Sequence, residues 1–464
     1  MISKKLKKVL AIAMVTAMLS AAFAGCGTSK DDSADSSAAA SGTTSNSASQ
    51  ANDEPVDIRL MTSWTAGSVA YESIEALLET YKKEKPNVQI THDALPSADL
   101  RTKLTVEMAA GTPADVSWCI LSYAREFIKD DKIIDWAPVY NDPKHPEFKQ
   151  WFSEVSLNFA TTDDGKIMMA PQEGSIDGLY YNTEMFTKYG WNPPQTFDEL
   201  LALIPKIKEK GISPLVTGGK DGRFAWLASA LLARSAGMDN FKALTLGDAM
   251  TGWKDPKYGF GDAMNKFKQL IDAGAYPKGV LGMSATEADQ MFARGEAAMY
   301  YEGAWKPGNF ATAGGNEFVN KIARVNFPVF TDCPNGDTKV NVGGNIIGFF
   351  VANGLPDAKK EACINLVKDI VSPEFNVPIM EKGGFVYAGK ADYDKTKVSP
   401  VMNQLIEAYR GATSYIPSMD AIAPPAVDLA IKQTAMPGMI TGEFDVQRAI
   451  SEVQKAAEDY SRGK

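Results

Sequence analysis

From residue 56 onward the apolar and polar positions fall into two alternating rhythms. Val56–Met61 alternates every second residue, the signature of a half-buried strand. Ile74, Leu77, Leu78 and Tyr81 then recur at i, i+3, i+4 and i+7, an amphipathic helix that Pro86 stops. Val88 and Ile90 mark a second strand. Leu100, Leu104 and Met108 line a second helix, ended by Gly111 and Pro113, and Asp115–Leu121 reads as a third strand. A strand–helix–strand opening predicts an α/β fold in which each sheet is mostly parallel and flanked by helices.

The rhythm continues to the end of the chain. Thr183–Tyr189 is a short helix, and Thr196 with Glu199 three residues on forms a capping box for the next one. Ser213–Thr217 reads as a strand and Phe224–Ser235 as a helix, in whose apolar run Trp226 reads as core. Ala263, Phe267, Leu270 and Ile271 share a helix face. Ala297–Tyr301, Val325–Val329 and Ile346–Ala352 are short apolar runs of strand type. Pro356 opens a helix carrying Ala362, Leu366, Val367 and Ile370, and beyond Pro373 the chain is mostly helical. Val446, Ala449, Ile450, Val453, Ala457 and Tyr460 line the last helix. There is no internal repeat, and Gly343-Gly344 lacks the context of a phosphate-binding glycine loop.

The stretch Phe292–Trp305 carries the most chemistry. Gly295 can close a helix, Ala297–Tyr301 follows as a strand, and Gly303 breaks it. Ligands of open α/β sheets sit just beyond the carboxyl ends of strands, which is where Glu302 and Trp305 fall. An indole offers a broad apolar face and a carboxylate accepts hydroxyl hydrogen bonds, a combination suited to a sugar. The same Trp could equally pack beneath the strand end as core. Trp64 and Tyr123 also stand at strand exits, whereas Asp115 stands at the opposite end of its strand and reads as structural.

Composition narrows the function classes. The formal net charge is −9, and removal of the first 25 residues with their four lysines would make it −13. So acidic a body argues against nucleic acid as a partner. Two histidines, His92 and His145, and four dispersed cysteines offer no metal pattern and no disulfide framework, and no cofactor is expected. Lys4–Lys8 and the apolar Val9–Phe23 form a signal sequence too short to span a membrane comfortably. Ala24-Gly25-Cys26 resembles a bacterial lipobox, in which Cys26 carries lipid; an ordinary secretory cleavage near Ala22–Ala24 is the other reading. Gly27–Asn52, almost all Ser, Ala, Thr, Gly, Asp and Asn, reads as a disordered tether.

Several stretches together resemble a known family. They are Ala110–Val116, Gly178–Phe186, Pro194–Leu200, Phe292–Trp305, Gly343–Val351 with the helix after it, and Ile416–Met419. In this order, behind a lipobox-like leader, they resemble the extracellular sugar-binding proteins of ABC importers, the maltose-binding-protein-like lipoproteins. The resemblance implies a two-lobed periplasmic-binding-protein-like fold with extra C-terminal helices. It implies a signal peptide over 1–25 and a tether over 26–54. One lobe would comprise 55–168 and 326–372, the other 169–325 and 373–464, with crossings near Met168–Gln172, Asn326 and Ser372. It also implies a carbohydrate ligand, membrane permease subunits as partners, a monomer held to the outer face of the cytoplasmic membrane only by lipid, and no catalysis.

By position, Trp305 matches a tryptophan that stacks on the sugar, with Glu302 on the same loop. Ser175 with Glu173, and Asp221 with Arg223, match ligand-contacting stretches, and Trp64, Tyr123 and Asn345 would face the cleft. One departure stands out: where maltose-binding protein places a stacking aromatic after Ser418-Met419, this chain reads Asp420-Ala421-Ile422-Ala423-Pro424. Two other readings stay open from the residues alone. The same fold could bind a peptide or polyamine, with Glu173, Asp177 and Glu302 as cleft acids. A secreted glycosidase could use Glu173 and Glu302 as its carboxylate pair.

Overall fold

Two sheets, changed over at Asp177, organise the chain. The computed structural model describes residues 55–333, 340–412 and 415–463. All belong to the second of two units, Asn52–Lys464. Cys26 and the tether lie outside the described residues. The strands are β1 Val56–Thr62, β2 Val88–Ala94, β3 Val116–Ile120, β4 Ala170–Ile176, β5 Gly178–Asn182, β6 Ser213–Val216, β7 Ala297–Glu302, β8 Ile322–Val325, β9 Asn341–Val351, β10 Val386–Tyr387 and β11 Tyr415–Ile416. Among the described residues, one sheet has the order β10-β4-β9-β3-β1-β2, with β11 also against β9, and the other the order β6-β7-β5-β8.

The α/β class is as expected, but the sheets are mixed rather than mostly parallel. β1 pairs in parallel with β2 and β3, as the strand–helix–strand opening requires. β9 returns from the other sheet and runs antiparallel to both β3 and β4. In the smaller sheet β5 is antiparallel to β7 and β8, and only β6 is parallel to β7. A chain that leaves a sheet and comes back along a crossing strand arrives in the opposite sense, so the two-way traffic mixes the sheets. β4 ends at Ile176 and β5 begins at Gly178, so the first change of sheet falls at Asp177. The return falls between Val325 and Asn341. There Gly343, at φ 152°, lies so close that a Cβ would meet the Ser175 carbonyl oxygen at 2.2 Å.

Local signals account for most element boundaries. Ser68 caps the helix Val69–Glu84 through the Tyr71 N–H, and Gly111 closes Ser97–Ala110 in the left-handed region. The Thr196–Glu199 capping box forms as expected, and Ser284–Glu287 makes a second at the helix Ala285–Ala293. Four expectations shift. Tyr123 lies in a helix, Leu121–Lys129, that begins directly after β3, so no exit loop separates them. The strand expected over 325–329 is β8, ending at Val325; beyond it Val329 makes only an isolated bridge to Thr196. The helix from Phe224 runs on to Thr245 across a kink at Gly237. Tyr460, placed on the buried face of the last helix, is 38% exposed.

Candidate functional site

β7 is buried along its whole length and delivers Glu302 to its carboxyl end. Gly303 follows, and its missing side chain is a requirement: a Cβ there would lie 2.2 Å from the Trp305 indole. The ring therefore folds back over the strand exit. The Tyr180 hydroxyl donates to the Gly303 carbonyl at 2.7 Å and ties the turn down. Trp305 is half-buried and meets Trp226, of the helix Phe224–Thr245, edge to face at 5.7 Å between ring centroids. The Arg223 guanidinium sits 4.6 Å from the Trp226 ring and 5.9 Å from the Trp305 ring, a cation–π arrangement.

Glu302 is fully buried, which a carboxylate tolerates only with partners. Arg223 Nη1 is 3.7 Å from its Oε2, and Lys306 Nζ is 4.0 Å from its Oε1. Lys306, also fully buried, donates to Asp289 at 2.6 Å and to the Tyr300 hydroxyl at 3.2 Å. Glu302 Oε1 and Arg223 Nε nevertheless have no hydrogen-bond partner among the described residues. Each buried polar atom left so costs about 1–3 kcal/mol, so both are poised to bind an outside polar group.

A row of acids continues from here. Asp177, at the change of sheet, is buried, and its Oδ2 lacks a hydrogen-bond partner among the described residues. Burial, then the nearby Glu302 and Asp420, hold its carboxyl well above the usual range. Its backbone carbonyl accepts from Arg324 Nη2 at 2.6 Å. A cavity of about 10 Å³, room for roughly one water, adjoins it beside Tyr301 and Arg234. Asp420 opens the stretch Asp420–Pro424 that departs from the family pattern, and its carboxylate accepts from Ser418 Oγ. Asp428 pairs with Lys432, while its Oδ1 has no hydrogen-bond partner among the described residues. Tyr123, half-buried, lies within electrostatic reach of Asp428 and Asp420, and burial pushes its hydroxyl up.

The remaining sequence candidates go elsewhere. Glu173 accepts from the indole N–H of Trp118 at 3.2 Å and of Trp64 at 3.4 Å, and burial pushes its carboxyl up to about 7. Trp64 is itself buried, ringed by Phe349, Phe375 and Phe385 at 5.5–6.3 Å. Ser175 is buried opposite Gly344. Asp221 accepts from the Ala285 N–H at 2.7 Å and so anchors the helix Ala285–Ala293. Asn345 lies on β9, its side chain outside the described residues. Asp115 is structural as read: it accepts from the Arg59 N–H at 2.7 Å and pairs with Lys359 at 2.8 Å.

Glu302, Trp305 and Arg223 thus come together, while Glu173 and Trp64 form a separate cluster. Sequence reasoning read Trp226 as core and passed over Lys306 and Asp428. Trp226 stands three residues after Arg223, so a helix face could have paired them; Lys306 and Asp428 left no signal in the chain order. Among the described residues no group of three or more acids, histidines or cysteines is placed to hold a metal ion. Cys119, Cys333 and Cys363 are free thiols, and no described helix is long and apolar enough to cross a membrane.

Comparison with known proteins gives the family and the fold. Residues 65–371 match the model of the bacterial extracellular solute-binding protein family. A probable sugar-binding periplasmic protein of Mesorhizobium japonicum is 24% identical over 87% of this chain and 94% of its own length. An uncharacterised ABC transporter extracellular-binding protein of Pyrococcus horikoshii is 25% identical over 55% of this chain, and a putative binding protein of Brucella abortus 28% identical over 48%. The chain spans only 58% and 53% of the length of those two relatives. Among solved structures, a chitin oligosaccharide binding protein superposes with a TM-score of 0.78 at 24% identity, over 87% of this chain and 98% of that one. A maltose-bound T. maritima protein gives 0.70 at 20% identity, over 87% and 99%. Both likenesses establish a shared two-lobed fold. With two thirds of its length matched by the family model, this chain belongs to the bacterial extracellular solute-binding proteins.

Proposed function

We propose that this chain is the solute-capturing subunit of an ABC importer, and that its solute is a sugar or oligosaccharide. The observation that carries the reading is the half-buried Trp305 ring laid over Gly303, with Arg223 5.9 Å from it and paired to Glu302, each keeping a buried atom without a hydrogen-bond partner among the described residues. The indole face would stack on a pyranose ring, and the charged pair would hydrogen-bond its hydroxyls. Proteins that share the fold include ones that bind maltose, raffinose and chitin oligosaccharide, which supports a carbohydrate.

The two lobes would follow the two sheets, with crossings at Asp177 and between Val325 and Asn341; because β4, β10 and β11 fall on the larger sheet, Ala170–Ile176 and part of 373–464 would join 55–168 and 326–372 rather than 177–325. Closure about these crossings would trap the ligand and present it to the permease subunits. Tyr123 and Asn345 would complete the cleft lining, with Trp64, Glu173, Ser175 and Asp221 supporting it from behind. The mature chain would be a monomer tethered by lipid on Cys26 to the outer face of the cytoplasmic membrane. The cargo would enter and leave chemically unchanged.

Isothermal titration with maltose, raffinose, chitobiose, xylobiose and their longer forms tests the ligand class. Binding of at least one, lost in Trp305→Ala, is expected; silence across the panel would overturn the reading. Loss of membrane retention in Cys26→Ala tests the anchor.

A further inference from the structure

Three buried polar atoms without hydrogen-bond partners among the described residues belong to residues linked by a short series of contacts. Glu302 contributes Oε1, Arg223 contributes Nε and Asp428 contributes Oδ1. Arg223 is the centre. Its guanidinium lies 3.7 Å from Glu302 on one side. On the other side Lys432 lies against Gly222, the residue before Arg223: a Cβ on Gly222 would be 3.2 Å from the Lys432 side chain. Lys432 in turn holds Asp428. Along that series the order is acceptor, donor, acceptor, with Arg223 against the Trp226–Trp305 indole pair.

We propose that this series makes the site select uncharged saccharides bearing neighbouring hydroxyls and reject uronates and sugar phosphates. The inference rests on the carbohydrate reading above and names the class within it. A hydroxyl both donates and accepts, so adjacent hydroxyls can give protons to Glu302 and Asp428 while one accepts from Arg223. A carboxylate or phosphate oxygen only accepts. It could use Arg223, but it would leave both carboxylate oxygens unpaired and add like charge beside them.

The local cations do not relieve that clash. Arg223 is paired with Glu302, Lys432 with Asp428, and Lys306 with Asp289. Arg324 is bonded to the Asp177 carbonyl and to Asn326. Arg101, the remaining cation facing Asp428, donates from Nε to the Ser97 carbonyl. Asp420, close enough to raise the Asp428 carboxyl, adds a further acidic group beside it.

The test uses the saccharide from the neutral panel that binds best. It is compared, by titration on the whole mature chain, with its own C6-oxidised form, the methyl ester of that form, and its C6-phosphate. We expect the acid and the phosphate to bind at least about 100-fold more weakly than the parent. The uncharged ester should stay within about tenfold, which separates charge from bulk. Asp428→Asn and Glu302→Gln should each weaken the parent and narrow the gap to the acid. Acid or phosphate binding within tenfold of the parent overturns the proposal and leaves the carbohydrate reading standing. Tighter binding of a deacetylated, cationic chitobiose than of neutral chitobiose overturns it equally. Silence of every saccharide, charged or not, overturns both. The comparison on the unsubstituted chain decides even if Glu302→Gln fails to fold.

Discussion

Two clusters in this protein are built from the same parts and come out differently. Trp118 and Glu173 lie on the larger sheet, with Trp64 just past the end of β1; Glu302 ends β7 of the smaller sheet, followed by Trp305, which meets Trp226. Each pairs two indoles with a buried carboxylate. In the first, both indole N–H groups point at the carboxylate and phenylalanines close around Trp64. In the second, the rings are half-buried, a guanidinium lies against them, and the carboxylate keeps an oxygen without a hydrogen-bond partner among the described residues. A satisfied cluster holds a fold together. An unsatisfied one held rigid by Lys306, Asp289 and Tyr180 is ready for something from outside.

The sharpest way to break that contrast is to truncate one ring from each cluster. Trp64→Ala should cost about 4 kcal/mol of stability in chemical denaturation, the range for a buried aromatic. Trp305→Ala should cost under about 2 kcal/mol but weaken saccharide binding by more than about 100-fold. Equal effects on stability would erase the distinction.

Next in size is the pH response of the satisfied cluster. Burial raises the Glu173 carboxyl from its ordinary 4.5 to about 7 in the folded chain, so the native state holds the proton more tightly. Its stabilising contribution is complete below 4.5 and is lost as pH rises to about 7, a change of about 3 kcal/mol. Glu173→Gln keeps an acceptor for the indoles and should flatten this part of the stability–pH curve between pH 4.5 and 7.

Two smaller substitutions sharpen the other side. Gly303→Ala should displace the Trp305 ring, lowering saccharide affinity about tenfold with a change in near-ultraviolet circular dichroism, since a Cβ cannot occupy that contact. Asp221→Ala removes the acceptor for the Ala285 N–H and should cost about 1 kcal/mol while leaving affinity within twofold. A large loss of affinity there would return Asp221 to the ligand.

Elements with a strong local cause were legible from the chain. The Val69–Glu84 stripe, the Gly111 stop and the Thr196–Glu199 box each depend on residues a few positions apart, and each formed where it was expected. Glu302 and Trp305 were legible too, because a short apolar strand followed by glycine puts the next polar residues at a sheet edge. The mixed strand directions were not, because β9 pairs with strands more than 150 residues earlier. Nor was the placement of Trp226, whose apolar helix reads the same whether its ring meets the core or an arginine.

By itself, then, the order of residues determined the periodicities, the caps and the aromatic strand exit, all of which are short-range consequences of side-chain size and backbone freedom. Only the folded chain decided which carboxylates keep a free oxygen. That depends on which distant donors arrive: two indoles at Glu173, but at Glu302 an arginine and a lysine that balance its charge without using every lone pair.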